Sequence, residues 1–279
     1  MKRTRAVLPL LILAAAVAAP LPAAPVTLKA TEFGRGPTIV FVHGLGGART
    51  AWLPTARKLL GTHHVVMLDL PGHGDSPLPD PFSLDAAAEA VVQALAAQKP
   101  ESTIVVGQGA GGLVALMAAS AHPERLSGLV LVDVSLRPEN PVPDQMQKYF
   151  LQMLDEHYDD MLKTLYVRMG RDSAQGIALH AQAVRTPPAT IKAYLREMLN
   201  ADGNKALKGL KTRLLFVGTE KRWPADKDWA AVGKQSGFED PAPVAARRIG
   251  GCGPLVASEQ PDSLAAVLTE FERTALAKK

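Results

Sequence analysis

The sequence predicts an α/β protein, a doubly wound and mostly parallel sheet that carries a helical cap insertion. Three observations predict it. Short apolar runs recur along the chain, and each ends in turn chemistry. Helical segments separate those runs. One stretch of about seventy residues then breaks the alternation and reads as helical throughout.

Taken in order, the runs lie at 39–42, 65–68, 104–106, 129–132 and 214–217. Continuous apolar runs of this length suit strands buried on both faces of a parallel sheet. A further strand over 26–30 is expected at an antiparallel edge, before the Gly34-Arg35-Gly36-Pro37 turn. Helices are predicted over 49–60, over 84–98 with Ser83 as the cap, over 112–121, and over 262–275 at the end of the chain. From 137 to 209 no buried strand is predicted. Pro138, Pro141 and Pro143 mark the entrance, and Met146, Phe150, Met153, Leu154, Met161, Leu162 and Leu165 recur at helical spacing. Thr186-Pro187 opens another helix, with Ile191, Leu195 and Met198 on one side.

Hydrophobic residues make up 47% of the 279 residues and charged ones 21%, which provides for a sizeable core and argues against disorder. The formal charge of +4 invites a nucleic-acid or membrane reading until the N-terminus is considered. Lys2, Arg3 and Arg5 precede an apolar stretch and then small residues at Ala16, Ala18, Ala23 and Ala24, the layout of an export signal over 1–24. Export to the periplasm or beyond is therefore expected, with no stable membrane span once the signal is removed. Its removal leaves 28 basic against 27 acidic residues, a charge of +1. Basic patches interleaved with aromatics are missing, so a nucleic-acid partner is not expected. One cysteine, Cys252, excludes an internal disulfide framework and multi-cysteine metal sites.

Three motifs coincide with strand ends. His43-Gly44-Leu45-Gly46-Gly47 follows the first buried run, Asp69-Leu70-Pro71-Gly72-His73-Gly74-Asp75-Ser76 the second, and Gly107-Gln108-Gly109-Ala110-Gly111 the third. In this order they resemble the cap-bearing branch of the α/β-hydrolase family, over nearly all of residues 25–279. The resemblance implies a core over 25–136 and 210–279 and a cap over 137–209. The glycine-rich third motif lacks the Lys-Ser/Thr of a phosphate loop.

The resemblance also implies a triad, and the chain departs from it at each position. The third motif matches the nucleophile elbow G-x-S-x-G, with Gly109 in the serine position. The acid position falls at Lys221, with Glu220 beside it, and Asp133 is a second candidate acid. The base position falls at Pro254, and none of the seven histidines lies in the last 99 residues. What remains is the oxyanion-hole region of His43, Gly44, Leu45 and Ala110, whose backbone donors survive side-chain loss. His43 and His73 are read as structural hydrogen bonders, and Cys252 as a weak replacement nucleophile. His157, among Asp155, Glu156, Asp159 and Asp160, is read as part of a solvated helix face, and no metal or cofactor is expected. These losses point to an exported, non-catalytic pseudo-hydrolase binding a small apolar or carbonyl-containing ligand, with no particular protein partner indicated. The alternative is a hydrolase of esters or similar small molecules that uses non-standard catalytic residues.

Overall fold

A computed structural model of the chain describes residues 26–137 and 143–277. The export signal read over 1–24 and the prolines at 138 and 141 lie outside the described residues. Seven strands form one sheet in the order β1-β3-β2-β4-β5-β6-β7. They are β1 Ala30–Gly34, β2 Thr38–Val42, β3 His64–Leu68, β4 Thr103–Gln108, β5 Gly128–Val132, β6 Arg213–Thr219 and β7 Ala245–Ile249. Only β1 runs antiparallel, against β3. The doubly wound, mostly parallel α/β class is thus observed.

Alternating side chains divide the sheet between two apolar layers. Val40, Val42, Val66, Leu68 and Val105 face α2 (Leu84–Leu95) and α3 (Gly109–Ala121). Ile39, Phe41, Val65, Met67 and Ile104 face α1 (Leu53–Leu59) and α11 (Pro261–Leu276). Ser83 caps α2, its side chain accepting a hydrogen bond from the Ala86 amide at 3.0 Å.

Two edges differ from expectation. The antiparallel strand begins at Ala30, where the segment over 26–30 was expected to form it, because residues 30–34 pair in register with 64–68. At the other edge β7 has the sequence AARRI with alternating exposure, so it gives no apolar run to read.

Between β5 and β6 the chain forms α4 (Asp144–Glu156), α5 (Tyr158–Met169), α6 (Ser173–Ala183), α7 (Pro188–Met198) and α8 (Gly203–Gly209). The periodic stretch from Met146 to Leu165 is two helices, broken at His157, whose φ of −131° leaves the helical region. Asp159 and Asp160 then sit in the first turn of α5, where negative charge complements the helix dipole. Three hydrogen bonds tie these helices to the strand ends. Tyr166 Oη donates to the Leu45 carbonyl at 2.8 Å, Thr190 Oγ1 to Gly72 at 3.1 Å, and Tyr194 Oη to Pro71 at 3.2 Å.

Candidate functional site

The site lies beyond the carboxyl ends of β2, β4, β5 and β6, where parallel sheets place their ligands. Here β2 and β4 are neighbours, and β2 runs into the 43–47 loop while β4 runs into α3. A cavity of about 510 Å³ opens there, lined by that loop, by Gly109 and Ala110, and by Tyr166 of α5.

Buried polar contacts fix the 43–47 loop. The Leu70 amide donates to His43 Nε2 at 3.0 Å, which puts the ring proton on Nδ1, facing the Gly44 carbonyl at 2.8 Å. The Gly46 amide donates to His73 Nε2 at 3.1 Å, and His73 Nδ1 donates to Pro71 at 3.1 Å. Burial pushes both imidazoles down, His73 to about 3, so both are neutral and fully engaged. Neither has a nitrogen left to take a proton from a nucleophile. Beneath them the buried Asp69 carboxylate accepts from the Arg49 amide at 2.7 Å and forms an ion pair with the Arg49 guanidinium.

The elbow keeps its geometry. Gly109 has φ of +51°, the left-handed conformation of a sharp strand-to-helix turn. A Cβ at Gly107 would press on Gly112, and one at Gly111 would collide with the His43 carbonyl oxygen. Packing therefore demands glycine at 107 and 111. At 109 it does not: a Cβ there meets no atom within 4 Å. The Ala110 amide, in the first turn of α3, has no intrahelical acceptor. Both Ala110 and Leu45 line the cavity, and no acceptor among the described residues takes either amide.

The residues that the resemblance puts at the acid and base positions make the following contacts. Pro254 lines the cavity, and its carbonyl accepts from Gln108 Nε2 at 2.6 Å, so a neutral amide bridges the elbow to the base loop. Lys221 lines the cavity too. Glu220, an exposed residue, turns away from the cavity, and its carboxylate accepts from the Gly251 amide at 2.8 Å, which ties it to the base loop. Cys252 is wholly buried, its thiol donates to the Ile249 carbonyl at 3.3 Å, and burial pushes it up to about 11, so it offers no nucleophile. Asp155 of the acidic cluster pairs with Arg196 and Lys192, and no group of metal-ligating side chains occurs among the described residues.

Three participants carried little or no sequence signal. Tyr166 sits in an apolar helical stripe, Gln108 in a motif position that tolerates any residue, and Asp133 at a strand end that reads as a turn. Gln108 becomes notable only through a distant partner, Pro254, and Asp133, a candidate acid by the resemblance, has its carboxylate fixed by Thr219.

Two predictions follow from this geometry. Gly109→Ser folds, at a cost of about 1–2 kcal/mol for a left-handed side chain, and gains no mass adduct from a fluorophosphonate, because His43, the imidazole that lines the cavity, has both ring nitrogens engaged. An adduct would show that a base reaches position 109. Tyr166→Phe removes the bond that pins Leu45 and costs about 1 kcal/mol in stability by thermal unfolding; an unchanged stability would deny the pin.

Leu45 and Ala110 bring two backbone donors without acceptors to one cavity, an arrangement that suits an anion or a carbonyl oxygen. The chain belongs to the alpha/beta hydrolase fold family, whose model matches residues 37–219. It is 31% identical over 158 residues to pimeloyl-(acyl-carrier protein) methyl ester esterase of Pseudoalteromonas atlantica, across 53% of this chain and 60% of that protein. The protein of the same name from Aeromonas hydrophila is 38% identical over 108 residues, 38% of this chain and 41% of that one. The match thus spans less than two thirds of either relative. A thermophilic esterase from Thermogutta terrifontis, solved with malate bound, matches in fold with a TM-score of 0.72 at 21% identity, over 90% of this chain and 95% of that one. The relatives bear the names of enzymes, and this overturns the expectation of a non-catalytic pseudo-hydrolase. The physical reason lies in the site: missing side chains leave a backbone oxyanion pair and its cavity untouched.

Proposed function

We propose that the chain hydrolyses esters or similar small acyl compounds with groups other than a serine–histidine–acid triad. One observation carries this reading. Leu45 and Ala110, whose amides have no acceptor among the described residues, line a cavity beside loops held by His43, His73 and Tyr166, so these donors are in place before an oxyanion forms. The esterase names of the relatives support the same class of reaction. The mostly apolar lining, with Leu165, Leu179, Leu195 and Met198 from the helices above, suits a short acyl chain. No helix among the described residues is long and apolar enough to cross a membrane.

Such a donor pair contributes about 10²–10³ in rate for each hydrogen bond it makes. The purified protein is expected to turn over p-nitrophenyl butyrate and short methyl esters with saturation, the activity eluting with the protein. Identically prepared Tyr166→Phe is expected to be slower by about tenfold, which ties the activity to this chain. Absence of turnover across the ester panel overturns the reading.

A further inference from the structure

We propose that Asp133 is the general base of the reaction, and that it activates a water molecule standing in the open space above Gly109. The inference rests on the hydrolase reading above and supplies the nucleophile and base that reading lacks.

Among the described residues Asp133 is the one carboxylate that lines the cavity, alongside Gly109, Leu45 and Ala110. Sheet register brings it to the elbow. Gln108 at the end of β4 pairs with Val132 at the end of β5, so Gly109 and Asp133 are the residues that immediately follow two neighbouring strand ends. A Cβ at Gly109 would meet no atom within 4 Å, so the cavity that both residues line is open there, and we assign the water to that space.

The backbone at Asp133 is held where it would not rest by itself. Its φ of +49° is the one positive value at a non-glycine among the described residues, a conformation costing about 1–3 kcal/mol that concentrates at functional sites. Thr219 grips the carboxylate, its amide donating to Oδ1 at 2.8 Å and its hydroxyl to Oδ2 at 2.6 Å. A carboxylate has about four lone-pair sites, so both oxygens keep a site for water. Burial pushes the Asp133 pKa up, while the Thr219 hydrogen bonds and the Arg222 charge pull the other way. A raised value strengthens the base. The other groups around it are Lys221 and Arg222 beyond β6, the un-ionised Cys252 beyond β7, and Arg168 of α5 across the cavity.

In the step proposed, the water oxygen bonds to the acyl carbon as one of its protons passes to Asp133. The carbonyl π pair moves onto oxygen, where the Leu45 and Ala110 amides hold it. Collapse then breaks the acyl–alkoxy bond, the departing alkoxide takes the proton from Asp133, and the carboxylate is restored. Ester and water become acid and alcohol, with no covalent enzyme intermediate.

The experiment measures p-nitrophenyl butyrate hydrolysis by the full chain and by three variants. Asp133→Asn is expected to lose at least about 100-fold in kcat, while butyrate, the product, binds with unchanged affinity by calorimetry. Asp133→Glu is expected to restore part of the rate, with the acid limb of its pH profile displaced from that of the native protein. Gly109→Ala, whose methyl group enters the space assigned to water, is expected to fold and to lose at least about tenfold. Should Asp133→Asn misfold, the Asp133→Glu profile and Gly109→Ala decide the matter. An active native protein with Asp133→Asn within threefold of it, an unmoved acid limb in Asp133→Glu, or an unimpaired Gly109→Ala overturns the proposal and leaves the hydrolase reading standing. An inactive native protein removes the hydrolase reading and this proposal together.

Discussion

Asp69→Ala lowers the free energy of unfolding by about 3–5 kcal/mol, the range for removing one partner of a buried ion pair. The Asp69 carboxylate is wholly buried, so each donor aimed at it has given up water. It accepts from the Arg49 amide at 2.7 Å and the Asp75 amide at 3.2 Å, and it pairs with the Arg49 guanidinium. After truncation that guanidinium still reaches Asp75 at 2.9 Å, but the Arg49 amide keeps no acceptor. The effect extends to the site, because Asp69 Oδ1 lies 3.9 Å from His43 Nε2, on the ring that organises the oxyanion loop. Asp69→Asn keeps an oxygen for the amide and is expected to cost less, about 2 kcal/mol. Urea unfolding at pH 7 measures both. A loss below about 1 kcal/mol in Asp69→Ala would show that the pair does not hold the loop.

Acidification from pH 7 to pH 5 destabilises the fold by about 2 kcal/mol through His73 alone. Burial is the largest cause of its depressed pKa of about 3, with repulsion from His43 adding to it and the Pro71 carbonyl opposing. In the unfolded chain the same ring titrates near 6.5. Between those two values the unfolded chain holds a proton that the folded chain refuses, so acid favours unfolding. The contribution is complete above about pH 6.5 and drains away as the pH falls toward 3. His43 is shifted in the same direction, mainly by burial, and steepens the loss. His73→Gln, which offers the Gly46 amide an uncharged acceptor, is expected to flatten the dependence between pH 7 and 5. A native protein equally stable at both values would contradict the neutral histidine pair.

The central strands were legible because burial on both faces forces unbroken apolar runs, as in TIVFV and GLVLV. The edges were not. Residues of β7 alternate with arginines facing solvent, and β1 is half exposed, so neither carries that signature. Helices α6 and α8 fell within the stretch read as helical but had no bounds of their own, because they carry glycine at Gly176 and Gly203 and show no clear apolar stripe. In the site, the backbone elements followed from glycine spacing, since Gly107 and Gly111 are fixed by local close approach. Asp133 was legible as a candidate acid, but its grip by Thr219 was not, because that partner lies 86 residues away. The hydrogen bond of Glu220 was illegible for the same reason, its acceptor role depending on Gly251 in another loop. The absence of serine and histidine was plain in the sequence, but the inference to a non-catalytic protein went too far. It counted side chains, whereas the donors that stabilise an oxyanion belong to the backbone.

The central claim is catalysis of ester hydrolysis without a serine nucleophile. Its most direct test is steady-state hydrolysis of p-nitrophenyl butyrate before and after incubation with excess fluorophosphonate, with intact mass measured on the same sample. The account predicts saturable turnover that survives the treatment, and a mass that does not change. Turnover abolished together with the gain of one phosphonyl adduct, or no turnover above the buffer rate at the start, would contradict it.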